Sequence, residues 1–165
     1  MSFALDIAAG APNGFSQDER TLFGALVQQA GEVGGNGLAT NIRDAKALVF
    51  GRLAGKVLGI AALKCPQASY RKRIGGKAGV DLGPARYPLE LGYVFLLPEA
   101  QGKKLSHGLV AAALTCADGA AVFATARADN AAMLAVLVKA GFKQAGQDYR
   151  GRGTRMIRLL VKSQD

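Results

Sequence analysis

The sequence predicts a mixed α/β fold, a sheet covered by helices. Three observations carry that prediction. Strand-like and helix-like runs follow one another in the order β-α-β-β-β-α-β-α-β-β, with one basic insertion, as in layered α/β architectures. Hydrophobic residues make up 50% of the 165, enough for a real core and too many for a disordered tail. The run 89–97 is apolar on both faces apart from Glu90, the pattern of a central strand. No repeat, linker or composition break divides the chain, so residues 1–165 read as one domain.

The elements follow from local pattern. Phe3, Leu5 and Ile7 alternate as in a short first strand, which Ala11-Pro12-Asn13-Gly14 breaks. Ser16 and Glu19 form a capping box, in which hydroxyl and carboxylate satisfy free amides at a helix start. Leu22, Phe23, Leu26, Val27 and Ala30 follow at helical spacing, which predicts an amphipathic helix over 16–31. Gly31, Gly34, Gly35 and Gly37 end it in a loop. Residues 47–52 and 56–64 read as two strands of a hairpin turning at Leu53-Ala54-Gly55. Segment 66–88 is the basic insertion, with Tyr70, Arg71, Lys72, Arg73 and Lys77. It reads as a short helix followed by a mobile loop.

After the central strand, Pro98 stops the pairing. Leu105, Leu109, Ala113, Leu114 and Ala117 then make the stripe of a helix spanning 101–117. Residues 122–127 read as a strand. Asn130 opens a further helix carrying Met133, Leu134, Leu137 and Val138, which Gly141 closes before Phe142. Two strands, 143–149 and 154–162, finish the chain, with Gly151 and Gly153 between them.

Lysine and arginine number 21 against 12 acidic residues, a formal charge of +9. Such a balance fits an anionic partner (a phosphorylated cofactor, a nucleic acid or an acidic surface) or a merely soluble basic surface. The two cysteines, Cys65 and Cys116, have no metal-type spacing and sit in apolar runs, as reduced core residues of a cytoplasmic protein do. The start MSFALDIAAG lacks a basic n-region and carries Asp6, unlike a secretory leader. The most apolar stretch, 105–126, is interrupted by His107 and Asp118 and reads as helix then strand, not as a membrane span. No metal-ligand constellation is expected.

Three places carry chemistry. A buried strand ends at Leu97-Pro98, and a helix begins beyond the doubly basic turn 101–106. Free amides and the positive helix end favour phosphate there, with Lys103 and Lys104 adding charge. The same residues also fit an ordinary strand-to-helix turn with solvated lysines. Glu90, the only charge in its strand, fits a general base among apolar neighbours. It equally fits a carboxylate at the strand's start that faces solvent or an arginine, and the residues alone favour that second reading. His107, the single histidine, has no triad or metal partner at useful spacing.

The ordered set of motifs over 89–142 resembles the GNAT superfamily of acyl-CoA-dependent N-acyltransferases. The resemblance rests on the strand Leu89-Glu90-Leu91-Gly92-Tyr93-Val94-Phe95-Leu96-Leu97 ending in Pro98, and on the turn Gln101-Gly102-Lys103-Lys104-Leu105-Ser106. Asn130, eleven residues before Gly141-Phe142, completes it. It implies a mostly antiparallel sheet with a splayed central strand pair and helices on both faces. It also implies acetyl transfer from acetyl-CoA to a primary amine by direct attack, with CoA as product. Phe95, Leu96 and Leu97 would pair with the pantetheine arm. Gln101, Gly102, Lys103, Lys104, Leu105 and Ser106 would cradle the pyrophosphate, and Asn130 would touch the pantetheine. Glu90 falls where many family members carry a base that acts directly or through water.

Three positions depart from the family. Lys104 and Ser106 stand where glycines are usual in the turn. Leu137 stands where a thiolate-protonating tyrosine is frequent, so that role passes to Tyr93, Tyr149 or water. The acceptor, a small molecule or a protein, would meet the 16–37 region, the 66–88 segment and the last strands, in a monomer or homodimer without a membrane partner. The rival reading is a GNAT-like module that binds CoA or nucleic acid with little or no catalysis, or an acyltransferase acting on a nucleic-acid-linked amine. Arg71-Lys72-Arg73 and Arg150, Arg152, Arg155 and Arg158 favour nucleic acid, but no aromatic residues interleave with them as stacking platforms.

Overall fold

A computed structural model describes residues 4–31 and 37–165. The fold is mixed α/β, with eight strands in a mostly antiparallel sheet. The chain divides into two compact units. The first is Met1–Cys65 with Leu91–Asp118, and the second is Pro66–Glu90 with Gly119–Asp165.

In the first unit, β1 (Asp6–Gly10), β2 (Ala47–Leu53), β3 (Lys56–Lys64) and β4 (Leu89–Leu96, whose first two residues belong to the second unit) are neighbours in that order. β1 begins later than its alternation predicts, and Phe3 lies outside the described residues. β2 and β3 pair antiparallel, Leu53 opposite Lys56. Between them Ala54 and Gly55, both at positive φ, close the expected hairpin with the twist that strands favour.

α1 (Gln17–Gln29) starts at the expected capping box: Ser16 Oγ accepts from Glu19 N at 3.1 Å, and Ser16 N donates to Glu19 Oε1 at 2.8 Å. The glycines at 34 and 35 lie outside the described residues. α2 (Leu38–Arg43), which no strong pattern announces, buries Leu38 and Ile42. With α1 these residues pack on Leu48, Phe50, Ile60 and Ala62, one face of the β2–β3 pair. α4 (Ser106–Thr115) lies against β1, β2 and β3. Leu109 there comes close to Gly51 and Gly59, on the opposite face. Helices therefore cover both faces, and Ala47–Phe50 are buried throughout.

In the second unit, β8 (Met156–Lys162) pairs antiparallel with β5 (Val122–Arg127), and also with β6 (Lys143–Gln144) and β7 (Tyr149–Arg150). The expected strand 143–149 is thus two short pieces. Gly146, at φ +66, causes the break: its chain approaches Ala78 so closely that a Cβ would lie 2.1 Å from the Ala78 carbonyl. The neighbouring Gln147 N donates to that carbonyl at 2.9 Å. α3 (Ala68–Ala78) is the expected basic helix. It packs Ile74 and Ala78 with Leu82, Phe123, Tyr149 and Leu159. α5 (Ala131–Lys139) buries Val136 and Leu137.

Three further expectations change. Arg71 is not part of a solvated basic face but is buried. Its guanidinium donates to the carbonyls of Pro66 (2.9 Å), Leu82 (3.0 Å), Pro88 (2.7 Å) and Tyr87. Those bonds tie together the segment that sequence reads as a mobile loop. Arg158, in the other basic run, is paired with Asp148 at 2.9 Å. Cys65, just past β3, is exposed instead of lying in the core; Cys116 is half-buried, and both are free thiols. Among the described residues no helix is long and apolar enough to cross a membrane.

Candidate functional site

From Leu91 onward, β4 belongs to the first unit. Its backbone is irregular at Tyr93, a non-glycine residue at φ +54 in mid-strand. Such a conformation is costly and persists only where surroundings enforce it. The Tyr93 ring meets Phe23 edge-on at 6.2 Å, and the Lys64 ammonium sits 4.4 Å from its centroid. The Lys64 stem crosses Gly92, where a Cβ would lie 2.8 Å from Cε. These contacts hold the irregularity in place. Beyond it, Val94 and Phe95 are apolar yet only half-buried, Leu96 is buried and Leu97 is half-buried. Leu97 N donates to Leu58 O at 2.8 Å, the last tie before Pro98.

The chain then makes a single 3-10 turn, Pro98–Ala100, before the turn 101–106. The helix does not start at Gln101 but at Ser106, because Gly102 (φ +78) and Lys104 (φ +60) both leave helical geometry. Gln101 Nε2 reaches back to Leu96 O at 2.9 Å, and Lys103 Nζ to Glu99 O at 3.2 Å, so the turn is tied to the end of β4. Its residues Gln101 to Lys104 are exposed, and a Cβ at Gly102 would meet nothing within 4 Å. Among the described residues no carbonyl accepts from the amides of Gly102, Lys104 or Leu105. A solvent-facing turn with free amides, two lysines and a helix N-terminus suits a phosphate chemically. Lys104 adopts a left-handed conformation that a glycine would adopt without cost.

The second unit holds Glu90. Its carboxylate does not face solvent. It is 2% exposed, and Oε2 accepts from Tyr70 Oη at 2.8 Å. Tyr70 comes from α3. Burial, and then the charge of Glu90, raise its phenol well above the ordinary tyrosine range. Tyr149 on β7 responds to the same charge: burial first, then Glu90, push it up to about 12. Arg73 stands 5.4 Å from the Tyr70 ring centroid and opposes both shifts. Glu90 thus sits with two neutral phenols and a guanidinium.

The structure groups the expected residues in two sets. Tyr93, Phe95, Leu96 and Leu97 and the whole turn Gln101 to Ser106 are consecutive features of the first unit. Glu90 and Asn130 belong to the second. Asn130 Oδ1 accepts from Met133 N at 3.1 Å and caps α5. Leu137, where the resemblance leads one to expect a tyrosine, is wholly buried. Sequence reasoning missed Tyr70 as the partner of Glu90 and the left-handed Tyr93. A glycine next to Tyr93 was the only local signal of irregularity. A separate cleft of about 770 Å³ in the first unit is lined by Gln17, Arg20, Thr21, Gln28, Thr40 and Arg43, among others; it takes in part of the 16–37 region expected to meet the acceptor, but none of the residues expected to bind the cofactor or to act as base or acid.

No family model and no curated protein matches the chain. Solved structures do match along its whole length. An acyl-CoA N-acyltransferase from Pseudomonas aeruginosa aligns over 97% of this chain and 100% of its own, at 16% identity and a TM-score of 0.66. YncA from Salmonella typhimurium, solved with its cofactor acetyl-CoA, aligns over 99% and 95%, at 16% identity and 0.64. An acetyltransferase of the GNAT family from Streptococcus pneumoniae aligns over 96% and 99%, at 18% identity and 0.65. The chain has the fold of the GNAT acyl-CoA N-acyltransferases.

Proposed function

We propose that the protein is an N-acetyltransferase that moves an acetyl group from acetyl-CoA to a primary amine by direct attack. The observation that carries this reading is the succession of features along one strand and its exit. Glu90 is buried against a phenol, Tyr93 is held left-handed, the apolar Val94–Phe95 stretch is half-open, and the exposed turn 101–106 follows. That succession supplies a proton acceptor, a surface for a slender apolar arm and an anion seat, in the order a thioester of a long polyanion needs.

Acetyl-CoA supplies the thioester: the amine nitrogen forms the new C–N bond, the C–S bond breaks, and the sulfur leaves as thiolate. The chain's residues do the rest. Glu90 accepts the proton that the amine loses. A backbone N–H near Phe95 or Leu96 polarises the thioester carbonyl, which needs a donor aimed where negative charge grows. The hydroxyl of Tyr93 hands a proton to the departing sulfur and regains one from solvent. Gln101 to Ser106 hold the pyrophosphate with amides and the Lys103 and Lys104 ammoniums, and Asn130 contacts the pantetheine arm.

The test is thermal unfolding with acetyl-CoA, with longer acyl-CoAs and with CoA, followed by thiol release on a panel of amines: spermidine, Nα-acetyl-lysine and short peptides with free N-termini. Binding to the folded state stabilises by mass action, about 2.7 kcal/mol at a hundredfold excess over Kd. Stabilisation by acetyl-CoA and thiol release with at least one amine are expected. Absence of stabilisation by any of the CoA species overturns the proposal.

A further inference from the structure

We propose that Tyr70, on α3, is a positioning residue for this acetyl transfer: its hydroxyl fixes the Glu90 carboxylate in the orientation from which it takes the amine proton. The inference rests on the reading of Glu90 as the base, and goes beyond it. The resemblance to acyltransferases puts segment 66–88 beside the acceptor but assigns no role to Tyr70 itself.

Four observations carry it. The bond itself is short and direct, Tyr70 Oη to Glu90 Oε2 at 2.8 Å, on a carboxylate that is 2% exposed. Its direction is fixed. Burial and the adjacent carboxylate hold Tyr70 as the neutral phenol, so it donates and Glu90 accepts throughout the neutral and mildly alkaline range.

The frame around the bond is rigid. Arg71, next in sequence to Tyr70, donates to Pro88 O at 2.7 Å, and Pro88 lies two residues before Glu90. The same guanidinium holds Pro66, Leu82 and Tyr87. One buried cation therefore locks the start of α3 to the approach of β4, and sets the separation of phenol and carboxylate. Finally, the Tyr70 ring packs on the core of Ile74, Ala78, Leu82, Phe123, Tyr149 and Leu159. A carboxylate whose one oxygen is held this way has its plane fixed, and misplacing a proton acceptor by about 1 Å can cost about a hundredfold in rate.

The groups that face Glu90 include Tyr70 and Arg73 on α3 and Tyr149 on β7, and of these Tyr70 donates the hydrogen bond.

The experiment compares wild type, Tyr70→Phe, Glu90→Gln and the double variant. It uses acetyl-CoA and the fastest amine among spermidine, Nα-acetyl-lysine and the peptides. Tyr70→Phe keeps the ring and the core. It is expected to lower kcat about 10- to 100-fold, with KM for acetyl-CoA and for the amine within about twofold of wild type. The double variant is expected to be no slower than Glu90→Gln, because the two residues act through one group. Carbon-13 NMR of tyrosine labelled at Cζ gives a readout without substrate, and the Tyr70 resonance is expected to move in Glu90→Gln. The inference fails if Tyr70→Phe turns over within twofold of wild type, if the losses multiply in the double variant, or if the resonance stays in place. Normal turnover in Glu90→Gln overturns the reading of the base itself, and with it the inference. Slow Glu90→Gln with normal Tyr70→Phe overturns the inference alone.

Discussion

In the proposed reaction, the turn 101–106 in the first unit and the Glu90 cluster in the second solve different problems by different means. The turn works through backbone: exposed amides, positive φ at Gly102 and Lys104, and a helix that starts only at Ser106. Residues Gln101 to Lys104 are exposed, and two of their side chains tie the turn back to the end of β4. The cluster works through side chains: a buried carboxylate, two raised phenols and the Arg73 guanidinium, on a frame that the neighbouring Arg71 braces on four carbonyls. A phosphate can be held by amides that any sequence supplies, provided the chain bends there. A proton acceptor needs a defined environment, and several distant residues must combine to build it. The turn is therefore tolerant of side-chain change, and the cluster is not.

Substitutions probe that contrast. Arg71→Met removes the donor to four carbonyls and leaves buried acceptors unmet, so it is expected to cost about 3 kcal/mol in urea unfolding. A loss below about 1 kcal/mol would mean that water or other donors brace the cluster. Gly146→Ala comes next, at about 2 kcal/mol. The new Cβ meets the Ala78 carbonyl at 2.1 Å on a backbone at φ +66, and one or the other has to move.

Asn130→Ala removes the cap that Met133 N uses and is expected to cost about 1 kcal/mol. Measured beside it, acetyl-CoA affinity separates the cap from the proposed contact with the pantetheine arm. Unchanged affinity in the folded variant limits Asn130 to capping. The smallest effect is Lys104→Gly, and it has two opposite signs. Relieving φ +60 raises stability by up to about 1 kcal/mol. Losing the ammonium weakens CoA binding about two- to fivefold. Falls in both quantities would break the picture of a backbone-built seat.

The two regions also differ in how far the sequence reveals them. The capping box at Ser16, the hairpin at Ala54-Gly55 and the strand Val122–Arg127 are local patterns, and the folded chain keeps them. The turn is legible for the same reason: Pro98, Gly102 and two lysines lie within seven residues. Its helix start is not, because Lys104 takes a conformation that no propensity assigns to lysine. The Glu90 cluster was half legible. A lone charge in an apolar strand flags itself, but its partner Tyr70 lies twenty residues away on a helix read only as basic. Arg71 shows why composition misled there. In a run of cations, burial of one and solvation of its neighbours look alike until the carbonyls that surround it are known. Tyr93 has no sequence signal of its own, since its left-handed backbone is imposed by Phe23 and Lys64.

The central claim is that Glu90 accepts the proton of the amine, and the pH–rate profile of wild type against Glu90→Gln tests it most directly. At saturating acetyl-CoA and with the fastest accepted amine, the variant is expected to turn over about 10²–10⁴-fold more slowly at neutral pH. The deficit should narrow as pH rises, because more of the amine is then already neutral. Acetyl-CoA affinity, measured by calorimetry on the same samples, should be nearly unchanged. A Glu90→Gln profile that overlays the wild type at every pH would contradict the claim, and would leave binding and orientation of the two reactants as the source of the rate.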